Sequence, residues 1–95
     1  MKIVIIEDEQ FAARRLENMI LGFDPDIQIV AKLESVADSI EWFNNNPAPD
    51  LIFMDIHLED NLSFAIFDSI SITCPIVFTT ATDELSTRAF ALKKI

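Results

Sequence analysis

The sequence predicts an α/β fold, a doubly wound parallel sheet with helices on both of its faces. Two short, uninterrupted apolar runs, at residues 3–6 and 51–54, carry this prediction. Neither run alternates with polar residues, which is typical of strands that are buried on both faces of a parallel sheet. Helical patterns separate the strand patterns along the chain. This alternation favours right-handed βαβ crossovers, which place helices on both sides of the sheet.

The first strand is predicted from Lys2 to Ile6, and a helix follows it at once. The acids after the strand favour a helix N-terminus, where negative charge meets the positive end of the helix dipole. Gly22 is predicted to close the helix as a left-handed C-cap, and residues 24–26 form a turn. The residues predicted to form the buried stripe of this helix are Ala12, Leu16, Ile20 and Phe23.

The second strand, residues 27–33, has the alternating pattern of an edge strand. Its odd-numbered residues, from Ile27 to Leu33, are predicted to share one face. The next four residues have the spacing of a capping box, with Ser35 as N-cap and Asp38 three residues on. They predict a second helix that ends at residues 44–47, with Trp42 partly buried on it.

The second half of the chain repeats the alternation. The central strand, residues 51–54, is followed by a polar loop and a third helical pattern over residues 62–70. Residues 75–78 predict a further buried strand, and Asp83 is predicted to cap a last helix. The order is therefore β-α-β-α-β-α-β-α.

Composition limits the function. The chain has 95 residues, enough for one domain, and its 51% hydrophobic residues can form a core. Its 16 acids against 7 bases give a net charge of -9, which argues against direct binding to nucleic acid or to an anionic membrane. The single cysteine, Cys74, fits a reducing compartment. No apolar stretch approaches about 18 residues and no signal peptide is recognisable, so we expect a cytoplasmic location.

Acidic residues follow both of the uninterrupted apolar runs. Glu7 and Asp8 come directly after the first, and Asp55 comes directly after the second. If these strands are parallel neighbours, roughly 5 Å apart, their carboxyl ends coincide and the three carboxylates crowd together. Ligands of open α/β sheets bind at this edge. Like charges oppose each other's ionisation, so the pattern predicts a hard divalent cation with oxygen ligands.

Three motifs stand at the ends of predicted strands: Ile5-Ile6-Glu7-Asp8-Glu9, Phe53-Met54-Asp55-Ile56-His57-Leu58 and Phe78-Thr79-Thr80-Ala81. Together they resemble the receiver domains of bacterial two-component response regulators, and most closely those of the LytTR-type regulators. The resemblance covers the whole chain, and it implies a flavodoxin-like receiver fold with strand order 2-1-3-4-5.

The resemblance also implies roles for single residues. Asp55 matches the phosphoryl acceptor, and Asp8 matches a direct Mg²⁺ ligand. Glu7 matches the neighbouring acid that holds metal-bound water. His57 lies where the family uses a backbone carbonyl as a metal ligand, so its imidazole is not required. Thr80 matches the hydroxyl that bonds a phosphoryl oxygen.

The expected function follows from these matches. A partner sensor histidine kinase is expected to phosphorylate Asp55, and the phosphorylated domain is expected to switch an output domain outside this chain. That output domain is expected to bind DNA and regulate transcription. The receiver is not expected to act as an enzyme beyond its own phosphorylation and dephosphorylation. It is also expected to form a homodimer.

The chain departs from the family pattern at two places. Asn61 stands where the subgroup often has glycine, which is a mild change because Asn tolerates left-handed backbone. The fifth strand, the last helix and the family's lysine would follow Ile95, and neither Lys93 nor Lys94 matches that lysine. Residues 1–95 are therefore expected to be a C-terminally truncated receiver, with an open edge at residues 76–78 that favours self-association.

Three other classes compete with this interpretation. A haloacid-dehalogenase-type phosphatase needs a second acid where the chain has His57. A flavodoxin-like binder needs a hydroxyl- and glycine-rich loop where the chain has residues 7–9. A pseudo-receiver that only mediates protein contacts stays open, since the lysine is missing although the acids and Thr80 are present.

Overall fold

The computed structural model describes residues 1–79 of the chain. The role predicted for Thr80, the end of its motif at Ala81 and the last helix predicted from Asp83 lie outside these residues. The elements are strands β1 (Lys2–Ile6), β2 (Gln28–Leu33), β3 (Leu51–Met54) and β4 (Ile76–Phe78), helices α1 (Gln10–Phe23), α2 (Val36–Asn45) and α3 (Ile66–Ser69), and a 3-10 helix, Ser63–Ala65, that leads into α3.

The four strands form one parallel sheet in the order β2-β1-β3-β4. The predicted fold class and strand order are confirmed for these strands. β1 lies inside the sheet between β2 and β3, and Ile6 at its end pairs with Met54 at the end of β3. The residues that follow these two strands therefore leave the sheet side by side.

Each face of the sheet has its own core. Ile3 and Ile5 of β1 point toward α1, where they pack with Ala13 and Ile20. Val4 and Ile6 point to the opposite face, where α2 and α3 close the larger core. Its buried members are Val4, Ile6, Val36, Ile52, Met54, Leu58, Ile66, Ile72 and Ile76. Because β1 is covered on both sides, its last four residues are at most 1% exposed, as its uninterrupted apolar run predicts.

A bulge in β2 corrects the prediction that its odd-numbered residues share one face. Ile3 pairs with Ile29, but the next residue, Val4, pairs with Ala31, and Val30 is the extra residue. An extra residue reverses the direction of every later side chain. Ile29 therefore packs on the α1 side, whereas Ala31 packs against the core under α2.

The end of α1 differs from the prediction in two ways. Gly22 is not left-handed: the helix continues through Phe23, and the amide of Asp24 donates to the carbonyl of Ile20. Phe23 is 89% exposed instead of buried. A 14-residue helix is about 21 Å long, whereas the five residues of β1 span only about 16 Å, so the last turn of α1 extends past the sheet.

The prediction for α2 is confirmed. Ser35 is its N-cap, with its hydroxyl accepting from the amide of Asp38 at 3.0 Å, and Trp42 is partly buried. The third helical pattern forms the 3-10 turn and four residues of α-helix, which is shorter than its apolar pattern suggests. Val77 in β4 is 40% exposed, so this strand is less buried than predicted. No helix within residues 1–79 combines the length and apolarity needed to cross a membrane.

Two fully buried serines provide a matched test of this core. The hydroxyl of Ser39 donates to the carbonyl of Ser35 at 2.7 Å, whereas that of Ser63 has no hydrogen-bond partner within the described residues. We expect Ser39→Ala to lower the free energy of unfolding by about 1 kcal/mol, because a buried hydrogen bond is lost. Ser63→Ala should leave it unchanged or raise it, because a desolvated hydroxyl is removed. Urea unfolding of the two variants measures this, and an equal loss in both would contradict it.

Candidate functional site

Three carboxylates lie together where β1 and β3 end. Glu7 and Asp8 follow β1, and Asp55 follows β3. Because Ile6 and Met54 are paired, the next residues of both strands emerge at the same point of the sheet edge. One carboxylate oxygen from each of Glu7, Asp8 and Asp55 lies within 4.8 Å of the others, and all three side chains are partly buried. The parallel register thus brings Asp55 together with two acids that lie 47 and 48 residues before it in the chain.

Backbone hydrogen bonds hold this edge in place. The amide of Glu7 donates to the carbonyl of Leu33 at 2.8 Å, and the amide of Asp55 donates to the carbonyl of Ile6 at 2.8 Å. Oδ1 of Asp55 accepts from the amide of Ile56 at 2.7 Å. The Asp55 carboxylate is therefore oriented by its own loop as well as by the strand that precedes it.

The surroundings of Glu7 raise the pKa of its carboxyl group. Desolvation by burial is the largest cause that raises its pKa from 4.5 to about 7. A hydrogen bond from the amide of Glu9, at 3.1 Å, works in the opposite direction. Hydrogen bonding with Asp8 and the negative charge of Asp55 raise the pKa further. The site thus concentrates more negative charge than the protein alone stabilises at neutral pH.

This donor set fits a hard cation. All three side chains offer oxygen atoms, and hard cations such as Mg²⁺ bind carboxylate oxygen and water. A bound cation would favour the ionised form of Glu7, whose pKa is raised chiefly by desolvation. The chemistry of the described site therefore matches the Mg²⁺ expected from the sequence.

Stability should rise as the pH falls through neutrality when no metal is present. The pKa of Glu7 is about 7 in the folded chain, against 4.5 for the free group. Between these values the folded state binds more protons than the unfolded state, so protonation stabilises the fold. We expect a gain of about 1 kcal/mol between pH 8 and pH 5.5, well below the value for a fully buried group because Glu7 is partly exposed.

Urea unfolding in EDTA at the two pH values measures this gain. The matched variant is Glu7→Gln, which has the same shape and no proton to bind. The gain should be absent in that variant. An equal gain in both proteins would mean that another group is responsible.

The other predicted site residues lie around this edge or outside the described residues. His57 is exposed, two residues beyond Asp55. The amide of Thr79 donates to the carbonyl of Met54 at 3.0 Å, which holds the end of β4 beside the site. Thr79 itself is exposed, because it lies past the last paired residue of β4, although a strand residue next to one that faces the site is expected to face the core or a helix. Thr80, the next residue, is outside the described range.

Sequence reasoning missed Asp60. Its carboxylate accepts from the amides of Val36 at 2.8 Å and Ala37 at 3.1 Å, so it caps α2 from a loop 24 residues further along the chain. The bond from Val36 is the main reason that the pKa of Asp60 is lowered. Nothing in the local sequence indicates this contact, because an acid in a polar loop carries no sequence signal for a hydrogen bond to a helix that is distant in the chain.

A comparison with known protein families identifies the kind of domain. The family model described as the response regulator receiver domain matches residues 3–94. The chain belongs to this family. It is the receiver domain of a two-component response regulator, and the predicted resemblance is confirmed.

Individual relatives place this receiver domain near the LytT proteins. It is 33% identical over 93 residues to the sensory transduction protein LytT of Enterococcus faecalis, and 31% identical over 93 residues to that of Bacillus anthracis. These matches cover 95% of the chain but only 38% and 37% of the two relatives. The solved response regulatory domain of protein mrkE from Klebsiella pneumoniae matches with a TM-score of 0.80 at 26% identity, covering 100% of this chain and 79% of that one.

Proposed function

We propose that this receiver accepts a phosphoryl group on Asp55 in a Mg²⁺-dependent reaction and thereby switches an output domain. The observation that supports this most is the group of three carboxylates within 4.8 Å of one another at the ends of β1 and β3. Of the three carboxylates, Asp55 alone follows β3, and its Oδ1 is oriented by the hydrogen bond from the amide of Ile56. Glu7 and Asp8 share one strand end and flank it.

The proposed reaction is the attack of an Asp55 carboxylate oxygen on phosphorus. An O–P bond to Asp55 forms as the bond between phosphorus and the donor breaks, and the electron pair of that bond leaves with the donor. For a sensor histidine kinase the leaving group is the imidazole of its phosphohistidine. Mg²⁺, held by Asp8, Asp55 and the main-chain carbonyl of His57, and by Glu7 through water, would supply positive charge to the phosphoryl oxygens.

The consequences of the reaction are electrostatic. A phosphoryl group adds negative charge and strong acceptor oxygens at the sheet edge. We propose that the Thr80 hydroxyl donates to one of these oxygens and that this contact biases the neighbouring backbone between two arrangements. The signal then passes to an output domain that binds DNA and regulates transcription, and homodimerisation and a cytoplasmic location belong to the same proposal.

Acetyl phosphate tests the proposal without the kinase. The full chain is incubated with acetyl phosphate and Mg²⁺, and intact mass is measured against a sample that contains EDTA. We expect the mass of one phosphoryl group to be gained with Mg²⁺ and not with EDTA. No gain under either condition, from acetyl phosphate or from a phosphorylated histidine kinase, would favour a pseudo-receiver that acts through protein contacts alone.

A further inference from the structure

The loop that follows Asp55 is tied to α2. Its residue Asp60 accepts hydrogen bonds from the first two amides of the helix, at 2.8 Å from Val36 and 3.1 Å from Ala37. The first amides of a helix have no partner within the helix. Ser35 satisfies a different amide, that of Asp38. The N-terminus of α2 therefore has two caps, one from its own flank and one from the loop beside the carboxylates.

Short contacts make this loop a single unit. His57 and Leu62 form an antiparallel bridge, and the amide of Leu58 donates to the carbonyl of Asn61 at 3.0 Å. At the base, the amide of Ser63 donates to the carbonyl of Ile56 at 2.7 Å. Asp60 lies at the far end of this closed loop. These contacts therefore connect Asp60 to the backbone at His57 within one short loop.

Packing holds the base of the loop more firmly than its tip. Ile56 is 1% exposed and packs with Phe64, whose ring centroid lies 5.4 Å from that of Phe78. Glu59 and Asp60, by contrast, are exposed. At this exposed tip the two hydrogen bonds to α2 add to the loop's own contacts. Without them, more of the conformational freedom of residues 59 and 60 would be lost when a ligand binds the loop.

We propose that Asp60 is a positioning residue for the cation site: its bonds to α2 hold the loop that carries the main-chain carbonyl of His57, the ligand that the proposed function adds to the carboxylates. This inference rests on the proposed function, because the position of that carbonyl matters only if a cation binds there. Asp60 does not itself contact the cation. Its effect is on affinity, since a preordered ligand carries no ordering cost when the cation binds.

Calorimetric titration of the full chain with Mg²⁺ tests the proposal. We expect Asp60→Ala to raise the Kd for Mg²⁺ by about ten-fold, as loss of residues that orient metal ligands does elsewhere. Asp60→Asn keeps one acceptor oxygen for the α2 amides and should raise the Kd by a smaller factor. At saturating Mg²⁺, the rate of phosphorylation by acetyl phosphate should return to within about two-fold of wild type, because Asp60 takes no part in the transfer itself.

Two control variants separate positioning from its alternatives. Ser35→Ala removes the other cap of α2 and leaves the loop intact, so its Kd should match wild type. Glu59→Gln removes one negative charge from the same loop, and its Kd should also match. An equal loss of affinity in Ser35→Ala would assign the effect to the stability of α2, and an equal loss in Glu59→Gln would assign it to charge. Either result overturns the proposal.

The remaining outcomes are equally distinct. An unchanged Kd in Asp60→Ala rejects the positioning role while the proposed function stands. If Asp60→Ala does not fold, the comparison of Asp60→Asn with Glu59→Gln decides, since both lose one charge and only the first loses a cap contact. Failure of the wild-type chain to bind Mg²⁺ would instead contradict the proposed function, and the positioning role with it.

Discussion

Asp55→Asn is expected to abolish the Mg²⁺-dependent mass gain from acetyl phosphate. The amide of Asn is neutral and has no carboxylate oxygen that can attack phosphorus, so the O–P bond cannot form at this position. The shape of the side chain and its oxygen near the Ile56 amide are kept, so the fold should be preserved. We expect a loss of at least about a hundred-fold in rate, the scale on which removal of a nucleophile acts. Intact mass spectrometry over time measures the rate, and circular dichroism checks the fold.

The matched control is Asp68→Asn, which makes the same chemical change on the exposed side of α3. Its rate should equal that of wild type, because residue 68 is not a member of the carboxylate cluster. A phosphoryl gain that persists undiminished in Asp55→Asn would show that another residue is the acceptor. Peptide mapping of the modified protein would then identify that residue.

Mg²⁺ is expected to raise the melting temperature of the wild-type chain, and Asp8→Asn is expected to remove most of this rise. A ligand that binds only the folded state stabilises it by mass action. At about ten times its Kd the gain is about 1.4 kcal/mol, which raises the Tm of a domain of this size by several degrees. Asp8 and Asp55 are the proposed direct ligands, so replacing Asp8 removes one charge and one ligand oxygen together. Thermal melts at pH 7, with Mg²⁺ or with EDTA, measure the shift.

The metal-free proteins should differ in the opposite direction. Asp8→Asn removes one negative charge from the cluster, and Asp8 is one of the neighbours that raise the pKa of Glu7, after desolvation by burial, so in EDTA the variant should melt at or above the wild-type temperature. Asp26→Asn, in the exposed turn after α1, is the control and should keep the full Mg²⁺ shift. Equal shifts in wild type and Asp8→Asn would reject the cation site at these carboxylates.

The sequence alone determined the architecture and the position of the acid cluster. Uninterrupted apolar runs occur where strands are covered on both faces, and this local property of β1 and β3 requires no knowledge of the remaining chain. Parallel neighbours end together, so once the resemblance implies that β1 and β3 are neighbours, the acids directly after both runs, at Glu7, Asp8 and Asp55, are expected to lie close to one another. The cap of α2 by Ser35 was equally local, since it joins residues three positions apart.

Only the tertiary structure decided features that depend on where one element meets another. The bulge at Val30 arises from the pairing of β2 with β1 and turns Ala31 to the opposite face. Phe23 is exposed because α1 is longer than the strand beneath it. Asp60 joins a loop to a helix that is distant in the chain, and the raised pKa of Glu7 comes from burial between neighbours. Distances and desolvation are set when separate segments pack, and periodicity in the sequence does not encode them.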